Sequence, residues 1–135
     1  MKKNGFTLIE ILLVLVILGS LAAMVFPRLT GRSEQAKITA AKVDINSNIA
    51  TGLKMFELDN GFFPTTEQGL KALQIKPTAP PIPKNYNGPY IEKPPLDPWN
   101  RPYIYKCPGT HGLDYDLYSL GRDDKEGKNT INNWE

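Results

Sequence analysis

The stretch that decides the fold is GFTLIEILLVLVILGSLAAMVFP, residues Gly5 to Pro27. From Phe6 to Phe26 it runs for 21 residues, and only Thr7, Glu10 and Ser20 are polar. A helix rises about 1.5 Å per residue, so this run is long enough to span a hydrocarbon core of roughly 30 Å. Lys2 and Lys3 precede it, and the positive-inside bias assigns them to the cytoplasm and everything after Pro27 to the outside. A removable secretory signal requires a shorter apolar region followed by a small-x-small site. Here the apolar run is longer and flows into a polar helical pattern, and Ala22-Ala23-Met24 is a poor site of that kind.

Glu10 is the residue out of place. A carboxylate in a membrane segment costs roughly 2.5–3.5 kcal/mol at the bilayer centre, and such groups are usually paired. No Lys or Arg lies between Glu10 and Arg28, so the segment holds no side-chain partner. A cut before Phe6 would create an ammonium one helical turn away. That amine could pair with Glu10 of its own chain or of a neighbour.

The whole chain has 135 residues, enough for this anchor and one small globular domain with a modest core. Sixteen basic and fourteen acidic residues leave a formal charge of +2, too balanced to argue for nucleic acid. The mean hydropathy is negative, so the apolar character is concentrated at the N-terminus. Cys107 is the single cysteine and allows no internal disulfide. With His111 the single histidine, the chain also lacks the makings of a zinc site or a Cys/His nucleophile.

Downstream, Arg28 to Asp59 contains no proline, and Ile38, Ala41, Ile45, Ile49, Leu53 and Phe56 recur at three- and four-residue steps. This is one stripe of an amphipathic helix, with Lys37, Lys42, Asp44 and Lys54 on the opposite face. The membrane helix is therefore expected to continue outward, with a kink or local melting at Phe26-Pro27, or with Pro27 merely marking the membrane edge. Asp59-Asn60-Gly61 ends it. Thr65 and Gln68 have capping-box spacing, predicting a short helix to about Ile75 that buries Leu70 and Leu73. Pro77 to Pro102 holds nine prolines in 26 residues, the composition of a linker or a polyproline ligand. The interleaved Tyr86, Tyr90 and Trp99 instead favour a loop packed on a core. Tyr103 to Cys107 and Leu113 to Ser119 read as strands joined by a turn at Pro108 to Gly112, with Leu113, Tyr115, Leu117 and Ser119 on one face. The expected class is α+β: a long transmembrane and amphipathic helix on a small head with a short helix, a Pro-rich loop and a small antiparallel sheet.

These residues carry a resemblance. Gly5-Phe6-Thr7-Leu8-Ile9-Glu10 after Lys-Lys-Asn resembles the class III signal of type IV pilins and pseudopilins. The resemblance implies a prepilin peptidase that removes residues 1–5 by cutting after Gly5 and methylates Phe6. It also implies an assembly helix over 6–26, and a head over 27–135 that includes the outer half of the long helix. Glu10 would guide assembly by neutralising a neighbour's amine, and Pro27 stands at the family's anchor-breaking proline. Phe63 to Leu70, Asp97-Pro98-Trp99, Ser119-Leu120-Gly121 and Asn133-Trp134 resemble, more narrowly, the major pseudopilins of type II secretion systems. Many type IV pilins close a C-terminal loop with a cysteine pair, which one cysteine cannot form.

The implied function is that of the major structural subunit of a pseudopilus. In this reading a single-pass inner-membrane protein with a periplasmic head polymerises into a helical periplasmic filament. A secretion ATPase and a platform protein would drive assembly alongside minor pseudopilins, and the filament would push substrates through an outer-membrane channel. Two other readings stand beside it: a type IV pilin of a surface filament for adhesion, motility or DNA uptake, and an anchored enzyme. The enzyme would draw on Asp114, Asp116, His111 and Asp123, no pair of which has a recognised catalytic spacing. Asp114 and Asp116 are moreover expected on the solvent face of their strand.

The resemblance further implies a calcium ion in the loop after Ser119-Leu120-Gly121. Leu120 and Asp123 match its first ligands, whereas Asn129-Thr130 stands where the family has an aspartate pair, in a loop one residue shorter. Calcium takes about 6–8 oxygens, and carboxylate count tunes its affinity. Asn129 and Thr130 supply oxygens without charge. Asp124 and Glu126 could compensate, Lys125 and Lys128 could replace the metal's charge, or hydrogen bonds alone could close the loop.

Overall fold

Helix α1 runs from Leu8 to Val43 in the computed structural model, which describes Met1 and residues 5–135, and of residues 26–30 the backbone alone. Lys2 and Lys3, which the positive-inside bias assigns to the cytoplasm, lie outside the described residues. The chain divides into two units, Met1–Ala36 and Lys37–Glu135.

In the first unit, Leu8–Val25 has a mean hydropathy of 2.8, and none of it is buried. It is long and apolar enough to cross a membrane. Ser20 satisfies its hydroxyl inside the helix, donating to the Ile17 carbonyl at 2.8 Å. Of the alternatives at Phe26-Pro27, a kink, local melting or a mere membrane-edge marker, local melting is absent, because helical backbone continues through residues 26–30. Pro27 still lacks an N–H, so the helix forgoes one backbone bond there.

In the second unit the predicted stripe forms the core. Ala41, Ile45, Ile49, Leu53 and Phe56 are each no more than 3% exposed. Between α1 and α2 (Ile49–Asn60) the backbone widens into a π turn, Asp44–Asn48. Four residues advance about 400° around a 3.6-residue turn, so steps of four drift by about 40° each. A π turn takes up more residues per turn and returns Ile45 and Ile49 to the line of Ala41. It also corrects the placement of Asp44, which is half-buried rather than on the solvated face. Tyr103 donates its hydroxyl to Asp44 Oδ2 at 2.9 Å, and Asn48 donates to Oδ1 at 2.7 Å.

α2 stops as expected at Gly61, whose left-handed φ of 82° lets its N–H reach the Glu57 carbonyl at 2.7 Å. Thr65 and Gln68 make both bonds of a capping box: Gln68 N donates to Thr65 Oγ1 at 3.2 Å, and Thr65 N to Gln68 Oε1 at 3.1 Å. In place of the predicted helix to Ile75 the chain forms only a 3-10 turn, Leu70–Leu73. Gly69, at φ 59°, breaks helical continuation immediately after the cap. Leu70 and Leu73 are buried as expected.

The Pro-rich segment is packed. Gln68 Nε2 holds it by donating to the Ala79 and Pro81 carbonyls at 2.8 and 2.9 Å. Tyr86 and Tyr90 meet Phe56 edge-on at 6.2 and 5.7 Å, and Tyr90 donates to Asp59 Oδ2 at 2.8 Å. Where the segment crosses α2, a Cβ on Gly52 would come within 2.8 Å of Ile91 Cγ2, so only glycine allows that approach.

The sheet is antiparallel in the order β1 (Ile104–Lys106), β2 (Asp116–Ser119), β3 (Ile131–Asn132). Tyr105 pairs with Leu117 and Ser119 with Ile131, which carries Tyr105, Leu117 and Ile131 into the core with the helical stripe. β1 and β2 are shorter than predicted, and β3 was not anticipated. All four residues of β2 are buried, so the simple alternation fails. One face meets the core, while Tyr118 on the other is covered edge-on by Trp134 at 5.5 Å.

Candidate functional site

At the start of α1 the chain forms a capping box that the sequence reading overlooked, although Thr7-x-x-Glu10 carries its spacing. Glu10 N donates to Thr7 Oγ1 at 3.3 Å, and Thr7 N donates to Glu10 Oε2 at 3.5 Å. The positive end of the helix dipole favours a carboxylate in this first turn. Glu10 is therefore held at the end of the helix adjoining Phe6, the residue whose nitrogen the cut would free. Gly5 and Phe6 are exposed, and nothing lies within 4 Å of a Cβ built on Gly5.

The C-terminal loop begins after β2. Gly121 has φ 67°, and a Cβ there would overlap the Asn129 carbonyl oxygen, so glycine is required. The structure brings Asp123 and Asn129 together, Asn129 Nδ2 donating to Asp123 Oδ2. Thr130 turns away, its Oγ1 accepting from Gly127 N at 2.9 Å. Asp124 Oδ1 forms an ion pair with Arg101 Nη1 at 2.6 Å, and Arg101 Nε lies 3.8 Å from Asp97 Oδ2. Asp97, only 3% exposed, accepts from Trp99 N at 3.0 Å, Arg101 N at 2.9 Å and Ser119 Oγ at 2.7 Å. Gly121 N closes the chain of bonds by donating to Ser119 Oγ at 3.0 Å.

Three of the side-chain oxygens considered for calcium are engaged by other groups. Asp123 faces an NH₂ group, the Thr130 hydroxyl is occupied, and Asp124 is held by a guanidinium. Among the described residues no group of three or more His, Cys, Asp or Glu side chains is placed to hold an ion.

Of the residues of the enzymatic reading, the structure brings His111 and Asp116 together but places Asp123 in another loop. Asp114 is exposed as predicted, but Asp116 is not: it is 1% exposed, because the β1–β2 loop folds over it. Thr110 donates to Asp116 Oδ2 from Oγ1 at 2.6 Å and from its backbone N at 2.9 Å. His111 Nδ1 lies 3.0 Å from the same oxygen, and its ring stacks on Trp134 at 3.8 Å. Burial works to raise the Asp116 pKa, yet the hydrogen bonds from Thr110 and His111 prevail and hold it at about 2. The cluster ties the hairpin loop to the C-terminal segment, while Asp123 serves another loop.

The family model described as type II secretion system (T2SS), protein G matches residues 28–134, and the prokaryotic N-terminal methylation motif matches residues 1–26. The chain belongs to the type II secretion system protein G family. It is similar to the type II secretion system core protein G of Pseudomonas aeruginosa, at 53% identity over 139 residues, covering 99% of this chain and 96% of that one. The core protein G of Escherichia coli strain K12 is 46% identical over 135 residues, with 98% and 92% covered. The fold matches the crystal structure of the major pseudopilin from the type 2 secretion system of enterohaemorrhagic Escherichia coli, with a TM-score of 0.71 at 39% identity, over 78% of this chain and 89% of that one. The α+β, pilin-like architecture expected from the sequence is thus borne out. Membership of the protein G family also decides for type II secretion over the surface pilin.

Proposed function

We propose that the chain is the major structural subunit of the type II secretion pseudopilus and performs no catalysis of its own. A prepilin peptidase removes residues 1–5 by cutting between Gly5 and Phe6, and Phe6 is N-methylated. The subunit waits in the inner membrane as a single-pass protein with its head in the periplasm. The secretion ATPase and platform protein then move it into a helical filament, which minor pseudopilins accompany.

The observation that carries this reading is the placement of Glu10. An acid at the first turn of an otherwise apolar, membrane-length helix is costly unless a cation joins it. The Phe6 amine released by the cut is that cation. In the filament, helices 6–26 exchange lipid for one another, and pairing of Glu10 with a neighbour's Phe6 sets the register, because a shifted subunit would leave both charges unpaired.

Electron microscopy of filaments sheared from cells that overproduce the chain with its secretion machinery tests this. Wild-type chain should give filaments whose subunits begin at Phe6 by mass spectrometry. Filaments built of uncut chain would refute the reading.

A further inference from the structure

We propose that Arg101 closes the C-terminal loop in place of a metal ion, so that this head is stable without calcium. The guanidinium bridges two segments far apart in sequence. Its Nη1 binds Asp124 Oδ1 at 2.6 Å in the loop, while Nε lies 3.8 Å from Asp97 Oδ2 in the segment before β1. Arg101 is three-quarters buried at its side chain, and Asp97 is almost wholly so. The Arg101–Asp97 pair at that depth is less screened than one on the open surface, while the Asp124 end of the bridge is exposed. Asp97 in turn receives Ser119 Oγ, which accepts from Gly121 N at the base of the loop. The fixed charge therefore reaches the loop from both its acidic tip and its base.

Charge balance within the loop agrees. Residues 121–130 carry Arg122, Lys125 and Lys128 against Asp123, Asp124 and Glu126, three of each sign and a net charge of zero. Such a loop has no excess anion to concentrate a divalent cation, whose affinity follows the number of ligand charges. A calcium ion would also have to displace the guanidinium from Asp124 and the amide of Asn129 from Asp123. A planar guanidinium suits this position because it can engage carboxylates from two directions and keeps its charge at any physiological pH.

The test uses the full chain purified in detergent, as wild type, Arg101→Gln and Asp124→Asn, each in excess calcium chloride and in chelator. Melting temperature is followed together with trypsin cleavage at Arg122, Lys125 and Lys128 by mass spectrometry. Wild type should melt within about 1 °C in the two buffers and show one cleavage rate. Both variants should be cut in the loop several-fold faster, equally in both buffers. Asp124 is exposed, so Asp124→Asn keeps the test decisive should Arg101→Gln fail to fold. A calcium-induced rise of roughly 10 °C in wild type, the size expected from a ligand at a hundred times its dissociation constant, overturns the proposal. Loop protection that needs calcium does so too, as does wild-type cleavage of Asp124→Asn.

Discussion

Thr7 and Glu10 cap each other across the first turn of the membrane-length helix, with N–H donors 3.3 and 3.5 Å from their side-chain acceptors. Glu10 thus has a local role in the uncut chain and, under the proposed processing, would acquire a second one once Phe6 became the N-terminus. The two roles separate chemically, because capping requires only an acceptor whereas ion pairing requires a charge.

Glu10→Gln keeps the acceptor and removes the charge. The variant should insert in the membrane and be processed normally, yet form no filaments. Glu10→Ala should also lose the bond from Thr7 N to the Glu10 carboxylate, while the backbone N of residue 10 can still donate to Thr7 Oγ1. Membrane fractionation combined with filament counts by electron microscopy checks both. Normal filaments from Glu10→Gln would show that capping alone suffices.

Gly5 makes no contact that a side chain would disturb. Replacing it with Leu should therefore leave the fold and membrane insertion unchanged while blocking the cut. Mass spectrometry should find intact precursor; a chain starting at Phe6 would show that the cut does not depend on Gly5.

Asp116 sets an acid limit on the head. Its carboxyl is held at about 2, below the ordinary value of 3.8, so the stability it contributes is present above about pH 4 and is lost as pH falls through 2. Asp116→Ala should cost about 1–3 kcal/mol at neutral pH by stranding the Thr110 donors. The difference from wild type in denaturant unfolding should narrow steadily between pH 4 and 2, and a constant difference would assign the effect to packing.

Phe56 is fully buried and meets Phe62, Tyr86 and Tyr90 edge-on. Phe56→Ala should destabilise the head by about 3–5 kcal/mol, measured by chemical denaturation, because three rings lose a common partner. A loss under about 1 kcal/mol would show that the Pro-rich segment does not pack on α2.

Features set by neighbours along the chain were legible in the sequence. The helical stripe, the Gly61 stop and the Thr65–Gln68 cap all follow from local spacing, and each stands where it was read. The start of α1 is equally local, since Thr7 and Glu10 stand at capping-box spacing. Features imposed by distant contacts were not readable. Asp44 turns inward because Tyr103, far along the chain, donates to it. Asp116 is buried because the loop carrying Thr110 folds back over a strand face that alternation assigns to solvent. β3 is two residues long, too short to leave a pattern, and exists through its pairing with Tyr118 and Ser119. In the C-terminal loop Asn129-Thr130 stands where the resemblance implies an aspartate pair. The sequence did not reveal Arg101 as the cation, because that residue arrives from another segment.

The central claim is that this chain builds the filament that drives type II secretion. Its most direct test is to delete the gene and measure how proteins partition between periplasm and medium, with wild-type and Glu10→Ala chains supplied in trans. In the deletion strain exported proteins should remain folded in the periplasm; wild-type chain should restore their release, and Glu10→Ala should not. Normal release in the deletion strain, accompanied by loss of surface adhesion or motility, would contradict it.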